Sequence, residues 1–158
     1  NLLDMTRVQG IISLQRDWES IEDLIHNAID RTANLFTATV EVKEPPSCPP
    51  VHVDGVLVEQ VMVNLLENCS RYAGRDCKVT ISFGTTDQKL WVSVLDDGPG
   101  IEAEMLQTAF EPFNRKGTSG FGLGLAICKA AIEAHDGSIW AVPVEKGAEI
   151  RWEVPLNP

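Results

Sequence analysis

Four polar side chains recur along one otherwise apolar stretch. Gln60, Asn64, Asn68 and Arg71 stand at i, i+4, i+8 and i+11, which places them on one face of a helix. Val61, Met62, Leu65, Leu66 and Cys69 fill the other faces and are predicted to be buried. A polar stripe on an amphipathic helix is often only solvated surface. Asn is a poor interior helix former, however, so two of them one turn apart require a reason. Amide oxygens suit Mg²⁺, a hard cation that takes oxygen ligands and is often shared with substrate phosphates. Arg71 is then placed to meet a phosphate or an acidic neighbour.

Two glycine-rich turns supply the rest of the chemistry. Asp96-Asp97-Gly98-Pro99-Gly100-Ile101 directly follows a strand-like run. A carboxylate at a strand end can accept a hydrogen bond from the amino group of adenine. Guanine presents a carbonyl at that position, so one Asp can select the base. The glycines let the backbone pass close to a ring, although DxGxG alone also describes a tight turn. Gly120-Phe121-Gly122-Leu123-Gly124-Leu125 leads into a helix, where backbone amides and the helix N-terminus favour phosphate. Its alternate glycines are not the dinucleotide pattern GxGxxG, and Lys116-Gly117-Thr118 lacks the GK[ST] order of a Walker loop. Each signal is weak alone. In this order, separated by an irregular segment, the three form a specific pattern.

The elements that must position these residues are legible from period and punctuation. NLLDMTRVQ reads as the last turns of a helix stopped by Gly10, followed by a short strand at Ile11–Leu14. Ser20 with Asp23 forms a capping box, and Ile21, Leu24, Ile25, Ala28 and Ile29 carry a helix to about Leu35. Val40–Val42 and Val51–Val53 are strands around a proline-rich loop, and Asp54 caps the long helix over 56–72. Val79–Phe83 and Leu90–Leu95 alternate as a hairpin around TTDQ. A short helix is predicted at 102–107 and another at 123–135, ended by Gly137. Ser138–Val142 and Ala148–Val154 close the chain as a second hairpin.

Composition narrows the setting. The 158 residues fit one domain with a real core, and the 44% hydrophobic content is ordinary for a globular chain. No apolar run approaches the roughly 18 residues that a membrane span needs, and the start carries no signal-peptide pattern. The chain opens on Asn1 inside a helix-like run, so a fragment of a longer protein is expected. A net charge of −10, from 23 acidic and 13 basic residues, argues against nucleic acid as a partner. An anionic ligand would have to be held by local groups. Cys48, Cys69, Cys77 and Cys128 show no metal-ligand spacing, and Cys69 and Cys128 fall in apolar helical stretches as buried thiols. A reducing, cytosolic setting is expected.

With these residues assembled, the sequence resembles the ATP-binding catalytic domain of bacterial sensor histidine kinases. That superfamily also includes gyrase, the heat-shock-90 chaperones and the mismatch-repair MutL ATPases. VNLLENCSRYA (63–73) is similar to the N box, LDDGPGI (95–101) to the G1 box, FEPF (110–113) to the F box, and GFGLGLAICKAAIEAHDGSI (120–139) to the G2 box. NLLDMTRVQG and HVDGVLVEQVMVNLLEN resemble the potassium-responsive sensor kinases of the Kdp type. The resemblance implies an α/β two-layer sandwich, a mixed, largely antiparallel sheet with helices on one face and an ATP lid over roughly 102–121. It assigns residues 1–10 to the end of a dimerisation and phosphoacceptor hairpin, and 11–158 to the catalytic domain.

Carried over residue by residue, the resemblance makes Asn68 the main Mg²⁺ ligand, with Asn64 assisting near the phosphates. Arg71 reaches a phosphate and Tyr72 lines the site. Asp96 holds the adenine amino group, and Gly98, Gly100 and Ile101 shape the base pocket. Gly120, Gly122, Leu123, Gly124 and Leu125 cradle phosphate. Arg115 and Lys116 are the basic groups of a short lid, and Glu67 is a weaker candidate for assisting proton removal from the attacking histidine. Asp97 stands where the family usually has Asn, and Asp136 replaces a common Gly, a change read as harmless.

The family phosphorylates a histidine in an acid-and-proline context that His26, His52 and His135 all lack. The acceptor is therefore expected upstream. The reading is a Mg·ATP-dependent protein-histidine kinase domain that acts on its own dimerisation domain and, through the full kinase, on a response regulator. It forms a homodimer only when the dimerisation helices are present. The expected location is cytoplasmic, with the parent protein anchored in the inner membrane. The alternatives are a degenerate nucleotide-binding or interaction module, and an ATPase or serine kinase of the same superfamily.

Overall fold

The computed structural model describes residues 13–100, 109–111 and 124–156. The expected helix at 102–107, nearly all of the lid and the stretch 1–10 lie outside them. Strand β1 is Asp17–Glu19, followed by helix α1 (Ile21–Arg31), a 3-10 turn at Ala33–Leu35, and strands β2 (Glu41–Lys43) and β3 (Val51–Val53). Helix α2 (Gly55–Ala73) leads into β4 (Val79–Thr86) and β5 (Lys89–Asp96). Helix α3 (Gly124–Ala134) precedes β6 (Ser138–Val142) and β7 (Ala148–Pro155). The main sheet has the order β2-β4-β5-β7-β6, and β1 pairs with β3 in a separate two-stranded ribbon. Only the β2–β4 pairing is parallel, so the sheet is mixed and largely antiparallel. Helix α2 packs on both α1 and α3, and α2 and α3 lie against the sheet.

The strand pleat decides which side is covered. Leu90, Val92 and Val94 of β5 point to the buried side with Val79, Ile81 and Phe83 of β4 and Trp152 and Val154 of β7. The opposite side carries cross-strand polar pairs: Arg151 lies over the Trp91 ring, and Lys89 bonds Glu153. Beneath the helices, Val61, Met62, Leu65 and Leu66 of α2 are buried, as their spacing predicts. Truncating any one of these to Ala would cost about 2–5 kcal/mol, the usual toll of a core cavity. All four cysteines are free; Cys69, Cys77 and Cys128 are buried. No helix among the described residues is long and apolar enough to cross a membrane.

Both predicted N-caps form. Ser20 accepts from the Asp23 amide at 3.2 Å, and Asp54 accepts from the Leu57 amide at 3.2 Å. Other boundaries move. Ser13 and Leu14 are not in a strand; the strand lies at Asp17–Glu19, where Trp18 pairs with His52 and stacks on its ring. A partner edge selected that polar stretch, and its own residues gave little sign of it. Helix α1 stops at Arg31 because the Thr32 hydroxyl and amide both bond the Ala28 carbonyl, at 2.9 and 3.2 Å. The TTDQ turn tightens to Asp87 and Gln88, which both have positive φ, the pattern of a two-residue I′ hairpin.

Helix α3 ends at Ala134, and Asp136 takes the left-handed conformation (φ 61°) before Gly137. The Asp136 substitution is therefore mildly strained rather than neutral. Gly137 serves another purpose: a Cβ there would collide with the Glu153 carbonyl.

One buried polar relay ties the start of α2 to the end of α3. The Asp54 amide donates to His135 Nε2 at 3.0 Å, and His135 Nδ1 donates to the Ala131 carbonyl at 2.7 Å. Both ring nitrogens are committed to a neutral tautomer, and burial pushes the imidazole below its ordinary value of 6.5, with the Arg16 charge adding to the effect. A His held below its unfolded value contributes stability that is complete above pH 6.5 and lost as pH falls through and below it. Melting temperature should therefore drop between pH 7.5 and 5.5 by more in the parent chain than in His135→Gln, which cannot titrate. Equal drops in thermal melts would show that His135 is not the group responsible.

Candidate nucleotide-binding site

Alternation along β5 sets the site's first carboxylate. Leu90, Val92, Val94 and Asp96 occupy the same side of the strand, so Asp96 continues an apolar inward row and is only 7% exposed. Its Oδ1 accepts the Gly98 amide at 2.9 Å, which turns the chain sharply out of the sheet. Cys69 of α2 interacts with the same carboxylate. Burial raises Asp96 above the ordinary carboxylate range; the hydrogen bonds from Gly98, Cys69 and Ala148 oppose that rise, and the Asp97 charge adds to it. Asp96 is thus an incompletely compensated buried acid, a state that a further hydrogen-bond donor would relieve.

Neighbouring Asp97 does different work. Its Oδ1 accepts the Lys78 amide at 2.8 Å, and its own amide donates to the Lys78 carbonyl at 3.2 Å. Asp97 therefore closes the β4–β5 end. An Asn side chain offers the same acceptor oxygen.

The turn sits directly against the end of α2. A Cβ on Gly98 would overlap the Ala73 methyl, and Gly100 has φ +91° with a Cβ position 2.9 Å from the Gly147 carbonyl. Gly98 is therefore required for close approach, and Gly100 for its backbone conformation as well. Asn64, Glu67, Asn68, Arg71 and Tyr72 all lie on α2 upstream of that contact. The Gln60 amide donates to Asn64 Oδ1 at 2.9 Å, and the Arg31 guanidinium donates to Gln60 Oε1 at 3.3 Å, so part of the stripe is braced by α1. Glu67 opens onto a polar cleft of about 490 Å³ that Arg31, Thr32, Asn34 and Gln60 also line. Arg71 is exposed, and Tyr72 is half-buried against the core.

On the far side of α2, α3 is fixed by the Cys128 thiol, which reaches the Val61 carbonyl at 3.7 Å and interacts with Asn64. Burial pushes that thiol up to about 12, so it is chemically inert. Gly124 begins α3 with open space where a Cβ would be, and the Leu125 side chain is buried in the core. Leu125 has only its backbone amide to offer a phosphate. Helix α2 thus stands between the Asp96 turn and the start of α3, and brings three of the four sequence motifs together. Ile101, Arg115, Lys116, Gly120, Gly122 and Leu123 lie outside the described residues.

The donor set fits a cation shared with phosphate. The amide nitrogen of Asn68 is buried without a hydrogen-bond partner, one of two such side-chain atoms among the described residues; the other is Trp152 Nε1. An amide left unlocked in this way can turn its oxygen to a cation or its nitrogen to a phosphate oxygen. Sequence reasoning placed Cys69 correctly as a buried thiol; its interaction with Asp96 depends on the packing of α2 against β5, which the sequence does not show.

Comparison with known proteins agrees with this geometry. The profile of the family described as histidine kinase-, DNA gyrase B-, and HSP90-like ATPase matches residues 53–158. The chain belongs to this ATPase family. Within this family the sensor protein KdpD of Escherichia coli strain K12 is 36% identical over 161 residues, covering 98% of this chain and 18% of the relative. The chain therefore spans less than a fifth of that relative's length. The catalytic domain of histidine kinase ThkA superposes with a TM-score of 0.77 at 28% identity, over 91% of this chain and 99% of that domain. ThkA solved in complex with the response regulator TrrA gives a TM-score of 0.82 at 24% identity, over 99% of this chain and 46% of ThkA. The chain is an ATP-binding domain of the histidine-kinase type, and its α/β sandwich is the one that the sequence resemblance implied.

The Gly98–Ala73 contact generates a direct test. Gly98→Ala should destabilise the chain by about 1–3 kcal/mol, the usual cost of overpacking, and Ala73→Gly in the same chain should recover part of that loss. Thermal melts of the two single variants and the double variant measure it. Strictly additive losses would mean that the two residues do not press on one another.

Proposed function

We propose that this chain is the Mg·ATP-binding catalytic domain of a sensor histidine kinase. It would deliver the γ-phosphoryl group of ATP to a histidine on a dimerisation domain outside residues 1–158. The observation that carries the proposal is Asp96, a buried carboxylate at the end of β5, two residues before Gly98, whose backbone packs against Ala73 at the end of the helix bearing Asn64 and Asn68. Family membership supports ATP as the substrate, and the KdpD and ThkA likenesses support the histidine-kinase branch.

In this reading Asp96 accepts the adenine amino hydrogen, and Gly98 and Gly100 keep side chains away from the base. Asn68, assisted by Asn64, holds Mg²⁺, which when bound neutralises phosphate charge. Arg71 meets a phosphate, and the amides of the glycine-rich segment ahead of α3 receive the remaining oxygens. Arg115 and Lys116 add positive charge from the lid, and Tyr72 and Ile101 line the pocket. Glu67 receives or steers a proton at the incoming histidine from the mouth of its polar cleft. Catalysis would rest on positioning and charge neutralisation, as in other phosphoryl transfers. By analogy with ThkA bound to TrrA, a response regulator is the downstream partner of the full kinase. Similarity to KdpD supports a potassium-responsive, membrane-anchored parent with this domain in the cytoplasm.

Three outcomes test the proposal. Asp96→Asn should lose most ATP affinity in calorimetric titration while its thermal melt stays near that of the parent chain. Asn68→Ala should weaken Mg·ATP far more than metal-free ATP; equal losses would make Asn68 structural. His26, His52 and His135 lack an acceptor context, and His135 is in addition locked in the Asp54 relay, so incubation with γ-labelled ATP should leave this chain unlabelled. Stable acid-labile label on it would overturn the assignment of the acceptor to another domain.

A further inference from the structure

Away from the nucleotide site, α1 and the loop after β2 bring together side chains that the proposed kinase chemistry does not use. Glu22 and His26 are one turn apart on the exposed side of α1, whose start is fixed by the Ser20 cap. Glu44 follows β2 directly, where parallel pairing with β4 sets the strand and Pro45 and Pro46 restrict the backbone beyond it. His26 Nε2 and Glu44 Oε1 are 3.1 Å apart, and one ligand atom from each of Glu22, His26 and Glu44 lies within 4.8 Å of the others. Cys48 lies in the same loop and is half-buried. Its sulfur does not join the three ligand atoms of the cluster.

We propose that Glu22, His26 and Glu44, with water completing the coordination, form a surface site for a transition-metal ion of the zinc class. The donor types select the ion. A hard cation such as Ca²⁺ takes six or more oxygens, whereas an imidazole beside two carboxylates suits Zn²⁺ and its neighbours. Zinc bonds of about 2.0–2.2 Å to nitrogen and oxygen put tetrahedral ligand atoms roughly 3.3–3.6 Å apart. His26 and Glu44 are already inside that separation, and the wider pairs must close by about 1 Å. Their side chains are 47% and 40% exposed, so a change of rotamer accomplishes this without moving the backbone. As a bare ion pair, His26–Glu44 is worth little, since exposed pairs contribute about 0–1 kcal/mol. A metal at this point would pin the proline-rich loop 44–50 to α1, away from Asp96 and the polar stripe of α2.

The test is titration of the whole chain, without nucleotide, with Zn²⁺ by calorimetry and with Co²⁺ by absorbance. One ion per chain should bind, with the intense visible bands of tetrahedral cobalt. His26→Ala and Glu44→Gln should each weaken Zn²⁺ at least tenfold, and Cys48→Ser should leave Zn²⁺ affinity unchanged. All three should leave ATP affinity and melting temperature unchanged in metal-free buffer. Failure of Zn²⁺ to saturate would overturn the site, as would unchanged affinity in both His26→Ala and Glu44→Gln.

Discussion

Gly98 and Ala73 meet where there is no space for another methyl group. That contact fixes the distance between the end of β5 and the end of α2, and with it the distance between the residues that would hold the base and those that would hold phosphate and metal. Asp96 is carried inward by the strand pleat, Asn64 and Asn68 are carried along the helix, and neither set can shift without opening the contact. Cys69 of the same helix interacts with the Asp96 carboxylate. The result is a preorganised acceptor at the edge of the core, with its desolvation already incurred before any ligand arrives.

The remaining architecture holds α2 in place. Its first turn is capped by Asp54, whose backbone amide is tied through His135 to the end of α3. Its middle is bonded to α3 through the Cys128 thiol and the Val61 carbonyl, and braced on the other side by Arg31 of α1. A helix gripped at its start, middle and end transmits little slack to the polar stripe. Sites of this kind depend on such support, because small errors in placement weaken charge stabilisation.

Much of this was legible in the sequence because the signals were local. The inward row Leu90, Val92, Val94 shows the period of β5 and carries Asp96 with it, and the caps Ser20 and Asp54 announce their helices. The glycines of the Asp96 turn were read as letting the backbone pass close to a base; the neighbours that Gly98 and Gly100 meet within the chain, Ala73 and Gly147, come from elsewhere in the sequence and had no local sign. What stayed hidden was set by tertiary partners. The first strand is the polar Asp17–Glu19 because β3 pairs with it. His135 read only as a histidine without a phosphoacceptor context, and the hydrogen bond it accepts from the Asp54 amide, 81 residues away, has no local signature. Asp97 read as a stray charge beside the base site, whereas its carboxylate holds the Lys78 amide. The grouping of Glu22, His26 and Glu44 required the parallel pairing of β2, which no spacing rule shows.

The central claim is that a buried carboxylate at the end of β5 reads the purine edge. Paired calorimetric titrations of this chain with ATP and GTP, both with Mg²⁺, test it most directly. A buried acceptor left without a donor costs on the order of 1–3 kcal/mol, and about 1.4 kcal/mol corresponds to a tenfold difference in affinity. ATP should therefore bind at least ten times more tightly than GTP. Equal affinities for the two nucleotides would contradict the account.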